Sequence, residues 1–143
     1  MTSPQPISIE AFVGVSPRKA WHAFTSPEAI TQWNQASPDC HCPWAEVDLH
    51  VGGRHVARME ARDGSFGFEF EGVYEEVDPP RALTLRLDDG RRARTTFEPH
   101  GDGTRVRTVF DPESTHSAAM QRDGWQAILD SYANYVVRVD GEA

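Results

Sequence analysis

The sequence of 143 residues lacks several features that would assign it to a specialised class of protein. It has no apolar run of membrane-spanning length, so we expect no transmembrane helix. The first six residues lack the basic and apolar regions of a signal peptide, which favours a cytoplasmic location. The net charge of −8 argues against a general nucleic-acid binder. We therefore expect residues 1–143 to form a single domain with its own core.

Cysteine is scarce, and the two that are present lie in one stretch, Asp39-Cys40-His41-Cys42. A disulfide between them would close a very small, strained ring, so we expect two free thiols. Two thiols and an imidazole would begin a soft-metal site only with further ligands, for which the candidates are His50, His55 and His116. The spacing differs from that of a zinc knuckle, and there is no second cysteine pair. The sequence therefore predicts neither a metal site nor another cofactor.

Signals of covalent chemistry are equally sparse. There is no Gly-rich phosphate loop and no convincing spacing for a Ser-His-Asp triad. Neighbouring residues of an extended loop point apart, so His41 is a poor base for either cysteine. An enzyme of cyclase or hydrolase type would need His55, Glu60 or a cysteine inside a pocket. We treat enzymatic activity as an open alternative and predict no catalytic residue.

What the sequence does contain is a long amphipathic stretch, Thr115 to Val139, near its end. Apolar side chains recur there at helical spacing and form one broad face. About 24 residues at 1.5 Å each give a helix of roughly 36 Å, long enough to cross a small domain. Such a face is stable only if other elements cover it.

The preceding chain reads as a sheet interrupted by a helical corner. Residues 7–13 alternate as a strand, and Ser16-Pro17 and Ser26-Pro27 each predict the start of a short helix. Residues 34–44 are predicted to be a loop. Alternation with a period of two then predicts about six strands from residue 45 to residue 108, joined by Gly- and Pro-containing turns such as Asp63-Gly64 and Asp89-Gly90. Strands joined by tight turns are antiparallel neighbours, so the long helix should cover one curved sheet.

These elements and motifs resemble a known family. Its order of elements is that of the helix-grip fold of START-related (SRPBCC) proteins, and the motifs are closest to the activator of Hsp90 ATPase homologue-like domains. The matching residues are Ser16-Pro17, Asp48-Leu49-His50-Val51-Gly52-Gly53-Arg54, Phe70-Glu71-Gly72-Val73-Tyr74, Pro79-Pro80 and Gly124-Trp125. The resemblance implies an α+β fold in which a curved antiparallel sheet of about seven strands wraps a long C-terminal helix, with two short helices after the first strand.

The resemblance also implies a hydrophobic cavity between the sheet and the long helix. The wider superfamily includes lipid and hormone binders, polyketide cyclases and Hsp90 co-chaperone domains. We therefore expect this protein to bind a small apolar or amphipathic molecule, as a monomer or a homodimer. The alternatives are a chaperone-interacting module and an enzyme that uses the same cavity.

The residues expected to contact a ligand are mostly large and inward-facing by alternation. Pockets are mostly apolar with few polar groups, and an aromatic-rich set suits that pattern. His55 shares a face with Met59 and is the best single polar candidate, although a buried histidine more often satisfies the core. The predicted lining is Trp33, His55, Met59, Phe68, Phe70, Trp125 and Leu129, with His41 and Trp44 at the entrance.

A row of arginines lies on the outer face of two neighbouring predicted strands, opposite the face that points to the long helix. Its members are Arg92, Arg94, Arg105 and Arg107. A solvated surface with cross-strand ion pairs is the ordinary interpretation of such a row. A basic patch for an acidic protein partner is the alternative.

Overall fold

The computed structural model describes residues 5–142, with side chains described up to Val139. One strand is followed by two short helices, seven further strands and one long helix. The elements are β1 (Ile7–Val13), α1 (Pro17–Thr25), α2 (Pro27–Trp33), β2 (Cys40–His41), β3 (Ala45–Val47), β4 (Arg54–Ala61), β5 (Gly67–Asp78), β6 (Ala82–Leu87), β7 (Arg92–His100), β8 (Gly103–Phe110) and α3 (Ala118–Glu142). The predicted order is confirmed. Residues 1–4, part of the segment in which no signal peptide is expected, lie outside the described residues.

The strands form one curled antiparallel sheet. Seven of them follow the path β1-β8-β7-β6-β5-β4-β2, and β3 also pairs with β4. The Asp63-Gly64 turn sets the β4–β5 register, in which Met59 lies opposite Phe68. The Asp89-Gly90 turn sets the β6–β7 register, in which Leu85 lies opposite Ala93. The α+β helix-grip fold predicted from the sequence is confirmed.

The helical corner begins as the two Ser-Pro pairs predict, but the two serines act differently. The Ser16 hydroxyl accepts a hydrogen bond from the Lys19 amide and caps α1. The Ser26 hydroxyl instead donates to the Glu28 carboxylate and makes no capping bond. Proline occupies the first turn of both helices, where its missing N–H costs no hydrogen bond.

The second half of α3 packs into an aromatic core at one end of the sheet. The Tyr132 ring is fully buried and lies edge-on to Phe24 and Trp33, each at 5.3 Å between ring centroids. Phe97 of β7 closes this cluster against Phe24. Within residues 5–142, no helix is both long and apolar enough to cross a membrane.

Three predicted boundaries differ from the structure. The alternation of Ala45, Val47, Leu49 and Val51 predicts a strand over residues 45–51. The strand ends at Val47, because Asp48 begins a turn in which the Gly53 amide donates to the His50 carbonyl. The loop predicted over residues 34–44 contains the short strand β2. The long helix begins at Ala118 and not at Thr115, because residues 111–117 form a connecting loop.

Candidate functional site

A cavity of about 540 Å³ lies between the first half of α3 and the concave face of the sheet. Six strands contribute to its wall, together with α1, α2, α3 and the loops before β7 and α3. The lining residues are Ile9, Phe24, Ile30, Trp33, Asn34, His55, Met59, Phe68, Phe70, Tyr74, Leu83, Leu85, Arg91, Ala93, Thr95, Thr108, Glu113, His116, Gln121, Trp125, Ile128 and Leu129. Most of them are apolar. Eight of the nine polar ones fall into three groups, and the ninth, Asn34, donates to the Cys42 sulfur.

Aromatic side chains hold α3 away from the sheet beside this cavity. The Trp125 indole stacks on Phe110 of β8 at 4.0 Å between centroids. Its other contact is edge-on to Phe70 of β5, at 6.1 Å. The indole therefore bridges β8 and β5 across the concave face. The large rings act as a spacer, and the side chains beneath them do not fill the gap.

The first polar group is a pair formed by His55 of β4 and Tyr74 of β5. Their Nδ1 and Oη atoms are 3.0 Å apart. Burial disfavours the charged imidazolium and lowers the pKa of His55 from its usual 6.5 to about 4. Burial likewise raises the pKa of the Tyr74 phenol above its usual value. Both side chains are therefore neutral at neutral pH.

The second polar group is a pair of threonines in the middle of the wall. Thr95 of β7 and Thr108 of β8 lie opposite each other in the sheet register. Their hydroxyl oxygens are 2.7 Å apart, so one hydroxyl donates to the other. The pair therefore places two hydroxyl oxygens in an apolar wall, each with a hydrogen-bond partner.

The third polar group forms one end of the cavity, where the loop of residues 111–117 meets α3. The Gln121 side chain accepts from the Glu113 amide and donates to the Glu113 and His116 carbonyls. The His116 imidazole lies 2.9 Å from the Glu113 carboxylate. On the neighbouring turn, Arg91 pairs with Asp89 at 2.7 Å. The Arg91 guanidinium thus has a counter-charge, and the Glu113 carboxylate has the His116 ring as a hydrogen-bond partner.

The cavity reaches the surface beside two exposed lining residues. Phe68 is 48% exposed and lies near the start of β5, and His116 in the loop before α3 is also exposed. A second exposed ring, Phe66, precedes β5 in the same hairpin. The opening therefore has an aromatic side and a polar side.

Seven of the nine predicted site residues line this cavity. They are Trp33, His55, Met59, Phe68, Phe70, Trp125 and Leu129. They come from α2, β4, β5 and α3, so the fold brings together residues that are distant in the sequence. Whether they contact a ligand stays a prediction.

The two predicted entrance residues, His41 and Trp44, lie outside the lining. His41 pairs in the sheet with Glu60 and its ring lies 3.3 Å from that carboxylate. Met59 faces the cavity, so alternation along β4 directs the next side chain, Glu60, to the outer face. His41 lies opposite Glu60 and therefore faces outward as well. Trp44 precedes Ala45, which lies opposite the fully buried Ala57, and Trp44 is correspondingly on the outer side and 39% exposed.

The cysteine stretch is built into the sheet edge and not into the cavity. Cys42 is buried, accepts a hydrogen bond from the Asn34 amide, and has its pKa raised by burial. The Ser37 hydroxyl donates to Cys40. Both thiols are free. In residues 5–142, no three His, Cys, Asp or Glu side chains are grouped as metal ligands would be.

On the outer face, part of the arginine row forms cross-strand ion pairs. Arg92 pairs with Glu75, and Arg94 pairs with Glu76 at 2.9 Å. Arg107 donates to the Ser8 hydroxyl at the edge strand. These contacts favour the ordinary interpretation of a solvated, paired surface for Arg92 and Arg94.

Several lining residues were not among the predicted site residues. Tyr74 alternates onto the same face of β5 as Phe70, but its pairing with His55 depends on the β4–β5 register. The contact between Thr95 and Thr108 depends on the β7–β8 register. The hydrogen bonds from Gln121 to the loop before α3 have no signal in the sequence.

Comparison with known proteins places these observations in a family. The family model described as "Activator of Hsp90 ATPase homolog 1-like protein" matches residues 14–136. No curated protein matches the sequence.

Solved structures are similar over nearly the whole chain. The solution structure of an AHSA1-like protein from Aeromonas hydrophila is 41% identical, covers 94% of each chain and superposes with a TM-score of 0.89. A protein from Cytophaga hutchinsonii is 38% identical over 96% of each chain, with a TM-score of 0.80. A protein from Nitrosomonas europaea, at 18% identity over 99% of each chain and a TM-score of 0.79, shows the fold alone. The chain belongs to the family of activator of Hsp90 ATPase homolog 1-like proteins.

Proposed function

We propose that this protein binds a small apolar or amphipathic molecule in the cavity between α3 and the sheet. The observation that carries the proposal is the cavity itself. Its volume of about 540 Å³ falls within the range of roughly 300–1,000 Å³ that is typical of small-molecule sites. Its wall is mainly aliphatic and aromatic, with a few polar groups at defined positions. This composition is typical of ligand sites, and the family's START-related fold is of a ligand-binding kind.

The arrangement of the wall supports an amphipathic ligand in particular. The apolar part of a ligand would lie between Trp125 and Phe70 on one side and Leu83 and Leu85 on the other. Its polar part would face either the His55–Tyr74 pair or the end formed by the loop before α3. Burial of apolar ligand surface would supply most of the binding free energy, at roughly 25 cal/mol per Å² before the costs of association.

The test is a thermal-shift screen of lipids, flavonoids and polyketides against three forms of the protein. The wild type is compared with Ile128→Trp, which places a larger side chain in the cavity. The matched control is Val137→Trp on the same helix, where the native valine is 63% exposed and outside the lining. A ligand at 100 times its dissociation constant stabilises the folded state by about 2.7 kcal/mol, which is a measurable shift in Tm.

The proposal predicts at least one compound that raises the Tm of the wild type and of Val137→Trp but not of Ile128→Trp. Equal shifts in all three forms would mean binding elsewhere on the surface. A screen that shifts none of them would contradict the proposal. Native mass spectrometry of the purified protein adds an unbiased measurement, because a co-purified ligand appears as a mass increment.

Fewer observations support the two alternative functions, a chaperone-interacting module and an enzyme. The chaperone-interacting module is supported by the family's description alone, and a pull-down from native lysate that recovers no chaperone would remove it. The enzyme alternative retains one of its candidate residues in the cavity, His55, since Glu60 and both cysteines lie outside the lining. A cytoplasmic location and the monomer or homodimer state remain predictions.

A further inference from the structure

The imidazole of His55 has one nitrogen that is paired and one that is open to the cavity. Its Nδ1 atom lies 3.0 Å from the Tyr74 hydroxyl. Among the described residues, every side-chain nitrogen or oxygen that is sealed from solvent has a hydrogen-bond partner. Nε2 of His55 makes no hydrogen bond to any of these residues. This atom is therefore not among those sealed from solvent. Since His55 lines the cavity, Nε2 faces that space.

The hydrogen bond at Nδ1 determines which of the two ring nitrogens carries the proton. If the Tyr74 hydroxyl donates to Nδ1, both of these atoms are satisfied and the ring proton resides on Nε2. If Nδ1 donates instead, the phenolic proton of the buried Tyr74 is left without a partner, whereas Nε2 has no protein partner in either arrangement. Unmade hydrogen bonds of buried groups are costly, so the first arrangement is favoured. Nε2 then presents an N–H donor to the cavity.

The cavity offers this donor without a free positive charge. His55 is neutral at neutral pH because burial lowers the pKa of its imidazolium. The other basic side chains of the lining are Arg91, which is paired with Asp89, and His116, which is paired with Glu113. An anionic ligand would lose its hydration and gain no unpaired cation, which is unfavourable.

We propose that Nε2–H of His55 is the specificity-determining donor of the cavity, and that it selects an uncharged, largely apolar ligand with a carbonyl-type oxygen. Tyr74 acts as a positioning residue, since its hydroxyl holds the imidazole in the Nε2–H tautomer. This inference rests on the proposed function and narrows its ligand class. A hydrocarbon of the same shape cannot accept the hydrogen bond, and a carboxylate would bind more weakly because its charge must be desolvated.

The experiment uses three naphthalenes substituted at the same ring position with an acetyl, an ethyl or a carboxylate group. Their shapes are similar, and they differ in the presence of a neutral acceptor or a charge. Binding is measured by NMR titration of the Trp125 indole signal, which reports from the cavity wall. The proteins are the wild type, His55→Phe and Tyr74→Phe, with His100→Phe as the control. His100 lies outside the lining and packs against the exposed Phe12.

In the wild type, acetylnaphthalene should bind about fivefold more tightly than ethylnaphthalene, the gain expected for one net hydrogen bond, and naphthoate should bind most weakly. His55→Phe should bind both neutral compounds equally, and His100→Phe should keep the wild-type preference. Equal binding of the ketone and the hydrocarbon by the wild type would overturn this inference and leave the proposed function intact. Failure of all three compounds to bind would contradict both.

A second measurement tests the tautomer without any ligand. Long-range proton–nitrogen correlation spectra of the histidine rings distinguish Nε2–H from Nδ1–H. The expected result is the Nε2–H form in the wild type and a loss of that exclusive form in Tyr74→Phe. An Nδ1–H form in the wild type would overturn the assignment of the donor, whatever the variants do in the titrations.

Discussion

The phenol of Tyr132 in α3 donates a 2.7 Å hydrogen bond to the backbone carbonyl of Ala20 in α1. Both residues are fully buried, so the bond joins the long helix to the helical corner inside the core. This contact fixes α3 at one end, where the sheet is filled by aromatic rings. The cavity begins about one turn earlier in α3, at Leu129 and Ile128.

The first prediction concerns this bond. Tyr132→Phe should lower the free energy of unfolding by about 1 kcal/mol, because the ring is kept and one hydrogen bond is lost. Urea denaturation measures the difference. Tyr135→Phe is the matched control on the same helix, since the Tyr135 hydroxyl has no hydrogen bond among the described residues and its loss should cost less. Equal effects of the two substitutions would show that the bond to Ala20 contributes nothing.

The pKa of His55 predicts a pH dependence of stability. An unfolded histidine takes up a proton below about pH 6.5, whereas folded His55 stays neutral until about pH 4. Protons therefore favour the unfolded state between these values, and stability is lost as the pH falls. The contribution of His55 to the free energy of unfolding is fully present above pH 6.5. Relative to that value, the free energy of unfolding falls by about 2 kcal/mol at pH 5 and by about 3 kcal/mol at pH 4.

The measurement is urea denaturation of the wild type and His55→Gln at pH 7 and pH 5. The variant should lose less stability than the wild type on acidification, whatever its stability at pH 7. His100→Gln at an exposed position is the control for removing a histidine. Parallel losses in the wild type and His55→Gln would mean that the folded protein does not hold His55 neutral at pH 5.

The two Ser-Pro pairs are predicted to differ in their contribution to stability. Ser16→Ala removes the cap of α1 and should cost about 1 kcal/mol. Ser26→Ala removes only an exposed contact with Glu28 and should cost no more than about half as much. Thermal unfolding of the two variants compares them directly. A larger effect at Ser26 would reverse the assignment of the capping serine.

The turn after β3 requires a glycine at its second Gly position. A Cβ atom on Gly53 would clash with the backbone oxygen of Asp48, whereas one on Gly14 would meet no atom within 4 Å. Gly53→Ala should therefore destabilise the protein by about 2 kcal/mol or more, since the clash is with backbone. Gly14→Ala is the control, and a similar loss of stability there would contradict the steric explanation.

Much of the fold could be predicted because its local signals agree with its tertiary structure. The alternation of His55, Ala57 and Met59 places them on the concave face, where the cavity and core lie. The Asp63-Gly64 and Asp89-Gly90 pairs mark the hairpins that set the registers. Helical spacing brings Trp125 and Leu129 to the same face of α3. The sequence predicts the orientation of these side chains because each orientation depends only on the strand, turn or helix that contains the residue.

The features that the sequence did not predict depend on contacts between elements. The outward direction of His41 follows from the pairing of β2 with β4, which no local pattern indicated. The polar end of the cavity exists because Gln121 reaches back to the loop before its own helix. The Thr95–Thr108 pair likewise requires the β7–β8 register. Such contacts arise only when the chain has folded.

The proposed function requires that a small molecule can enter the apolar space beneath the first half of α3. The most direct measurement is a set of intermolecular nuclear Overhauser effects between ethylnaphthalene and the isotope-labelled protein. We expect contacts from the naphthalene protons to Ile128, Leu129 and Phe70 at the cavity wall. Contacts confined to exposed residues such as Val137, or none up to the solubility limit, would contradict it.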